Sequence, residues 1–258
     1  MLSKNQPLLS AVIIAKDEER DLPGCLESLR GLCDETAIVI GAKSADKTEA
    51  IARAAGAKVS VRAFDGYAGQ KQAALELASG EWVLSIDCDE RVSPELAHDI
   101  KRALAAPGNY AGFEIPFRVF FLGKRLRFGG LGSERHLRLF KRAAGRFAGG
   151  QVHEGIQLDG PVGRLAGAMN HVPYRDISEY VAKMDFYTRL AAKKRFEKGG
   201  RFHFWHHALL PWDFFARAVL KLGFLDGQAG LVWAGLSAFH HWLKYVKLAE
   251  LEDSQKAQ

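Results

Sequence analysis

Cysteine is scarce in this chain. Cys25, Cys33 and Cys88 are the three present in 258 residues, and their spacing suits neither a metal site nor an even-numbered disulfide framework. Free thiols in that number fit a reducing compartment. No run of about 18 apolar residues occurs, which argues against a simple transmembrane helix. The opening stretch MLSKNQPLLS lacks the long apolar centre of a signal peptide. G-x-G-x-x-G is also missing, which argues against a dinucleotide cofactor.

What is present describes an ordinary globular protein of one large domain or two small ones, with 48% apolar and 26% charged residues. The formal charge of +6 asks for an anionic partner: a nucleotide phosphate, nucleic acid or an acidic membrane surface. Nucleic acid is the weakest of these. No recognition motif occurs, and the basic residues are scattered through the second half.

The first 105 residues alternate strand and helix patterns. Leu8–Ala15 is a continuous apolar run, read as a buried strand, and it ends in the charged loop Lys16-Asp17-Glu18-Glu19-Arg20. A helix follows with Leu22, Pro23, Cys25, Leu26 and Leu29, stopped by Gly31. Thr36–Ile40 is a second strand. Asp46 is placed to cap the next helix, with Glu49 three residues on completing a capping box. Lys58–Arg62 is a third strand, residues 67–79 a helix, and Glu81–Ile86 a fourth strand. This alternation implies parallel pairing with right-handed crossovers, a Rossmann-like nucleotide-binding half. The loops at 16–18, 41–46, 64–71 and 87–89 then share one edge of the sheet.

The chain is organised around Glu81–Glu90. Its apolar run stops at two carboxylates, Asp87 and Asp89, before Ser93 and Pro94 open a helix. Two acids at the carboxyl end of a buried strand sit where open α/β sheets bind ligands. Such a pair needs a positive neighbour, and a divalent cation carrying phosphate oxygens suits it. A D-x-D alone is weak, because chance produces many. The strand before it and the three alternations preceding that strengthen it.

The second half changes character. Gly112–Phe121 reads as a strand, and Gly123–Gly132, glycine-rich and basic, as a mobile loop. Arg135–Arg142 alternates as a strand with one wet face. His153 and Glu154 follow within glycines, and Asp176 caps a helix running to about Lys198. From residue 202 tryptophan concentrates, with Trp205, Trp212, Trp233 and Trp242 beside Arg217, Lys221, Lys244 and Lys247. Two helices, about 212–222 and 228–250, carry the pattern of interfacial membrane helices.

The Lys16-Asp17-Glu18-Glu19 start, Ser44-x-Asp46-x-Thr48, Gly69-Gln70-Lys71 and Trp82-Val-Leu-Ser-Ile-Asp87-Cys-Asp89-Glu90 resemble family 2 inverting glycosyltransferases of GT-A fold. Arg138-Leu-Phe140-Lys-Arg142, Val152-His153-Glu154 and Lys221-Leu-Gly-Phe-Leu-Asp226-Gly resemble the bacterial lipopolysaccharide core β-1,4-glucosyltransferase group. The resemblance implies an α/β GT-A domain with a mixed sheet over residues 1–200, and a C-terminal helical membrane-associating segment over 201–258. It implies transfer of a hexose, glucose from UDP-glucose, onto a lipid-linked core acceptor at the inner face of the cytoplasmic membrane. Asp17, Glu18 and Asp87 would contact the nucleotide. Lys71 would reach base or phosphate, or else lie on the helix surface. Asp89 would hold Mg²⁺ or Mn²⁺ on the diphosphate, with His153 a candidate further ligand. Glu154 would be the general base that direct inversion needs. Arg138 and Arg142 would contact phosphate on the acceptor or donor, or else form a solvated face.

One departure stands against the resemblance. The family usually carries an aspartate at the end of the second strand, and Gly41 stands there. This leaves open a catalytically weak relative that binds nucleotide or membrane as an assembly partner. A sugar nucleotidyltransferase is a third reading. It needs a glycine-rich phosphate loop after the first strand, which Ala15-Lys16-Asp17-Glu18 does not supply.

Overall fold

The computed structural model describes residues 7–132, 134–149 and 154–256. They fall into two compact units, one within residues 7–117 and 134–171, the other within 118–132 and 172–256.

In chain order the elements are β1 (Leu9–Ala15), α1 (Leu22–Leu29), β2 (Glu35–Gly41), α2 (Thr48–Ala54), β3 (Lys58–Arg62), α3 (Tyr67–Leu77) and β4 (Trp82–Ser85). Then come β5 (Glu90–Val92), α4 (Pro94–Ala105), β6 (Gly112–Phe121), β7 (Lys124–Leu126), β8 (Arg135–Lys141), β9 (Gly145–Gly149) and β10 (Glu154–Leu158). Last are β11 (Val162–Arg164), β12 (Met169–His171), α5 (Ile177–Glu197), α6 (Leu209–Phe215) and α7 (Gly227–Lys256).

The main sheet runs β3-β2-β1-β4-β8-β6-β12-β5. β3, β2, β1 and β4 are parallel, and β8 is antiparallel to both β4 and β6, so the sheet is mixed. β1 and β4 are buried along almost their whole length, as a parallel strand covered on both faces requires. That is why each is almost wholly apolar, apart from the buried Ser10 in β1 and Ser85 at the end of β4. Successive strands are added on one side of β1 and then, with β4, on the other. The chain therefore reverses direction of assembly between β1 and β4, the kind of switch point beside which open α/β sheets bind ligands at their carboxyl edge.

Local chemistry sets the element ends. Ser93 Oγ accepts the Leu96 N–H at 3.2 Å, and Asp176 Oδ1 accepts the Glu179 N–H at 2.8 Å, both as expected of N-caps. The capping box at Asp46 does not form. Asp46 Oδ1 takes the Thr48 N–H and hydroxyl, and Glu49 pairs with Arg53 one turn on. At the amino edge, Gly80 enters β4 so close to Ser10 that a Cβ would lie 2.5 Å from Ser10 Oγ. Gly80 N–H donates to that hydroxyl, which donates in turn to Glu35.

The second unit differs from expectation in three places. The basic stretch 123–132 is not simply a loop: β7 pairs antiparallel with the end of β6. The helix expected over 212–222 is present but changes its winding: α6 runs on at Phe215 into a π turn (Ala216–Leu220), and a 3-10 turn (Gly223–Asp226) follows. α7 is a core helix. Its Ala229 and Trp233 pack with Phe121, Tyr180 and Met184, and its Tyr245 and Leu248 with Ala192. Trp233, expected at a membrane interface, thus fills the unit's interior.

Glu35 also carries a pH dependence. Burial raises its pKa, but Lys58 at 2.5 Å, Ser79 and Ser10 outweigh this and hold it down to about 2. An acid depressed on folding stabilises above its unfolded value of 4.5 and loses that contribution as pH falls towards 2. Urea unfolding at pH 5.5 and pH 3 should show wild-type protein losing more stability than Glu35→Gln. Equal losses would mean that Glu35 does not carry the acid sensitivity.

Candidate functional site

The loops after β1 and β2 hold each other. Asp17 N–H donates to Ser44 Oγ at 3.0 Å, Glu18 N–H to Thr48 Oγ1 at 2.7 Å and Glu19 N–H to Asp46 Oδ2 at 2.9 Å. In return, Ala45 N–H donates to Asp17 Oδ1 at 2.8 Å and Lys47 N–H to Glu19 Oε2 at 3.1 Å. Asp17 adopts the left-handed region at φ 58°, which an aspartate tolerates better than most residues. Its carboxylate pKa is lowered by the bond from Lys16 and by the Ala45 N–H. The Lys16 stem lies beside Gly41, where an added Cβ would meet it at an ordinary 3.5 Å.

After β4 the chain makes a tight turn. Glu90 N–H donates to the Asp87 carbonyl at 3.0 Å, and the Glu90 side chain returns to accept the Asp87 N–H at 2.9 Å. Arg91 fastens the turn from outside, donating to the carbonyls of Cys88, Glu90 and Asp21. It passes over Gly24, where a Cβ would lie 2.6 Å from its Nε.

The Asp87 carboxylate is held on both oxygens. Oδ1 lies 3.1 Å from Lys71 Nζ, and Oδ2 3.0 Å from Arg138 Nη2. Arg138 Nη2 also contacts Glu90 Oε1 at 2.6 Å, and its guanidinium lies over the Phe117 ring. Burial raises the Asp87 pKa, but Arg138 and Lys71 outweigh it and hold the acid well below the usual carboxylate range. Glu90 goes the other way: burial first, with Asp87 adding to it, pushes it up to about 7 against the pull of Arg138. Arg138 reaches this position through a bulge. Phe113 faces Leu139 and Glu114 faces Leu137, so Arg138 is the extra residue of β8. A bulge re-aims a side chain that plain alternation would place elsewhere.

Beside this cluster, His171 Nε2 lies 3.4 Å from Asp89 Oδ2. Burial lowers the His171 pKa, but the bond to Asp89 and its charge raise it overall. Asp89, Glu90 and His171 offer ligand atoms within 4.8 Å of one another. Both Glu90 oxygens are engaged, one by Arg138 and one by the Asp87 N–H. That leaves Asp89 and His171, an oxygen and an imidazole nitrogen, which suit Mg²⁺ or Mn²⁺ when substrate phosphates complete the shell.

The structure thus brings Lys71, Asp87, Asp89 and Arg138 together, and joins Asp17 and Glu18 to the facing loop. Lys71 is buried, not a surface helix lysine. Arg138 forms no wet face, because the bulge turns it onto the acids. Arg142 lies elsewhere: β8 runs antiparallel to β4, which carries Arg142 to the amino end of β4, where its Nε donates to the Gly80 carbonyl at 3.0 Å. Glu154 opens β10 opposite Gly149, but its side chain and the whole of His153 lie outside the described residues. Glu90, Arg91 and His171 were not singled out from sequence. Glu90 had a signal, an acid directly after D-x-D and just before the helix start at Ser93. His171 had none, since its partner lies 82 positions earlier in the chain, from 171 − 89.

A half-buried acid and a buried one sharing one guanidinium define a site for a charged ligand at the carboxyl edge of a mixed α/β sheet, the arrangement expected of the GT-A fold. Residues 10–154 match the family described as glycosyl transferase family 2, and the chain belongs to that family. It is therefore a glycosyltransferase. It is 33% identical over 245 residues to the lipopolysaccharide core biosynthesis glycosyltransferase LpsC of Rhizobium meliloti, covering 89% of this chain and 90% of that protein. It is 30% identical over 257 residues to an uncharacterized glycosyltransferase of Rickettsia typhi, covering 94% and 87%. Among solved structures, Staphylococcus aureus TarS 1-349 in complex with UDP-GlcNAc aligns with a TM-score of 0.46 at 14% identity, over 94% of this chain and 92% of that one.

Arg138→Leu should destabilise the protein by about 3 kcal/mol, because it leaves the buried Glu90 carboxylate without its cation while Asp87 keeps Lys71. Urea unfolding at neutral pH measures this. A loss below about 1 kcal/mol would mean that solvent reaches Asp87 and Glu90 freely.

Proposed function

We propose that this glycosyltransferase moves a hexose, glucose from UDP-glucose, with inversion, onto a lipopolysaccharide inner-core or other lipid-linked acceptor. The observation that carries the donor reading is Asp87, fixed on both oxygens by Lys71 and Arg138 beside the Asp89–His171 pair. An ionised carboxylate held in this way is a rigid acceptor for ribose or base N–H and O–H groups. Asp17 and Glu18, on the clasped loops, line the nucleotide end. Lys71 lends positive charge near the phosphates.

Asp89 and His171 would hold Mg²⁺ or Mn²⁺. When bound, such an ion neutralises charge on the departing nucleoside diphosphate. Glu154 takes the proton of the acceptor hydroxyl as general base. Its support is the family motif with His153 and its place at the start of β10. Arg138 acts through Asp87 and Glu90, not on the acceptor.

The protein works peripherally at the inner face of the cytoplasmic membrane. Among the described residues no helix is long and apolar enough to cross a membrane, while Phe204, Trp205 and Trp212 are exposed. Exposed aromatic rings of this kind favour the lipid–water boundary.

Calorimetric titration with UDP, with and without Mn²⁺, beside ADP, GDP and CMP, tests the donor reading. UDP should bind more tightly with Mn²⁺, and the other nucleotides weakly. Asp89→Ala should abolish the Mn²⁺ increment, and His171→Ala should reduce it by roughly tenfold or more. An unchanged increment in both variants sinks the metal assignment. Glu154→Gln should keep UDP affinity and lower turnover by roughly 10²-fold or more. Full turnover would place the base on another residue.

A further inference from the structure

The β6–β7 ribbon has two unlike faces. Phe120 faces Arg125 and Val119 faces Leu126 across the pair. Val119, Phe121 and Leu126 point into the second unit's core. Alternation along each strand leaves Arg118, Phe120 and Arg125 on the other face, with Arg127 next in register. The guanidiniums feel one another: after partial burial, Arg118 and Arg127 are the causes that lower the Arg125 pKa. Among the described residues, Arg125 and Arg127 have no acidic side-chain partner. Guanidiniums gathered on a firm ribbon in this way offer paired donors to phosphate oxygens.

The ribbon is bolted to an apolar crest. Asp226 Oδ2 accepts the N–H groups of Arg127 and Phe128, each at 2.9 Å, and Gly129 N–H donates to the Lys221 carbonyl at 2.8 Å. A Cβ at Gly130 would lie 3.2 Å from Lys221 Nζ, so another cation adjoins the ribbon's end. The crest itself is exposed: Leu220 at 58%, Phe224 at 47% and Leu225 at 54%. Asp226, the acid at this junction among the described residues, is spent on backbone N–H groups.

We propose that the arginine face of β6–β7 and the Leu220–Leu225 crest form one docking surface, and that its occupant is a bilayer containing anionic phospholipid. This deepens the membrane reading above and rests on it, moving the contact from the tryptophan-bearing helices to the ribbon and the turns after α6. The chemistry separates the occupants. A nucleic acid would use the cations and leave the crest in water. An apolar protein partner would cover the crest and leave the cations unpaired. A phospholipid surface satisfies both, with phosphates at the level of the guanidiniums and the crest at the acyl boundary.

The test is sedimentation of the full chain with vesicles of phosphatidylcholine alone, and with phosphatidylglycerol at roughly a third of the lipid. Wild-type protein should bind the anionic vesicles and hardly the zwitterionic ones, less so as salt rises. Arg125→Glu/Arg127→Glu should weaken anionic binding by about 30-fold or more, and Leu225→Ser should weaken it independently. Both should keep the wild-type melting temperature and UDP affinity. If the charge reversal melts early, Arg125→Gln/Arg127→Gln is measured in its place. Wild-type binding to neither vesicle, equal binding to both, or charge variants that bind as wild type would each overturn the proposal. UDP titration of the same samples keeps the readings apart, since loss of nucleotide binding in the wild type would remove the donor reading and leave the vesicle result standing.

Discussion

The candidate site depends on one buried guanidinium shared between two acids. Asp87 and Glu90 lie within reach of the same Arg138 nitrogen, and the two carboxylates are pushed in opposite directions. Two acids this close, one of them fully buried, cannot both ionise cheaply without a cation between them. With Arg138 in place and Lys71 on the far oxygen, Asp87 keeps its charge and Glu90 becomes the neighbour that is harder to ionise. The arrangement keeps one acid charged at the sheet's edge and commits the other to the turn that aims it.

That division explains the surrounding architecture. The turn from Asp87 to Glu90 is closed by backbone and side-chain bonds in both directions, and Arg91 ties its carbonyls to the start of α1. Asp89 projects from the same turn towards His171 on β12, an element that follows more than eighty residues later. The sheet is what makes this meeting possible. β8 and β12 come back beside the parallel strands and deliver Arg138 and His171 to the edge where β4 ends.

Much of this was legible in the sequence, and the failures have physical causes. β1, β2 and β4 were readable because both of their faces are buried, so their residues are nearly all apolar, while β3 at the sheet's edge is half exposed and alternates. Ser93 and Asp176 were readable because an N-cap is a local event. Asp46 misled because its oxygens had a better use, holding Thr48 and the facing loop. Arg138 read as one side of an alternating strand, and a single extra residue in the register overrode the alternation. Arg142 shares its strand but lies beyond the other end of β4, a distinction that depends on strand direction and not on spacing. Trp233 and Trp242 had the composition of an interfacial helix, yet α7 uses Trp233 to fill its own unit. Composition reports what a segment contains and not which face it turns inward.

The clasp between the β1 and β2 loops has a consequence for how this protein can vary. Every strut in it is a backbone N–H on one loop bonded to a side-chain oxygen on the other, running in both directions. Neither loop is complete without its counterpart's side chains, so the two behave as one piece. A graft of residues 16–20 from a relative would leave amide groups stranded unless residues 44–48 came with it. This edge of the sheet is therefore open to change by paired replacement and closed to replacement one loop at a time.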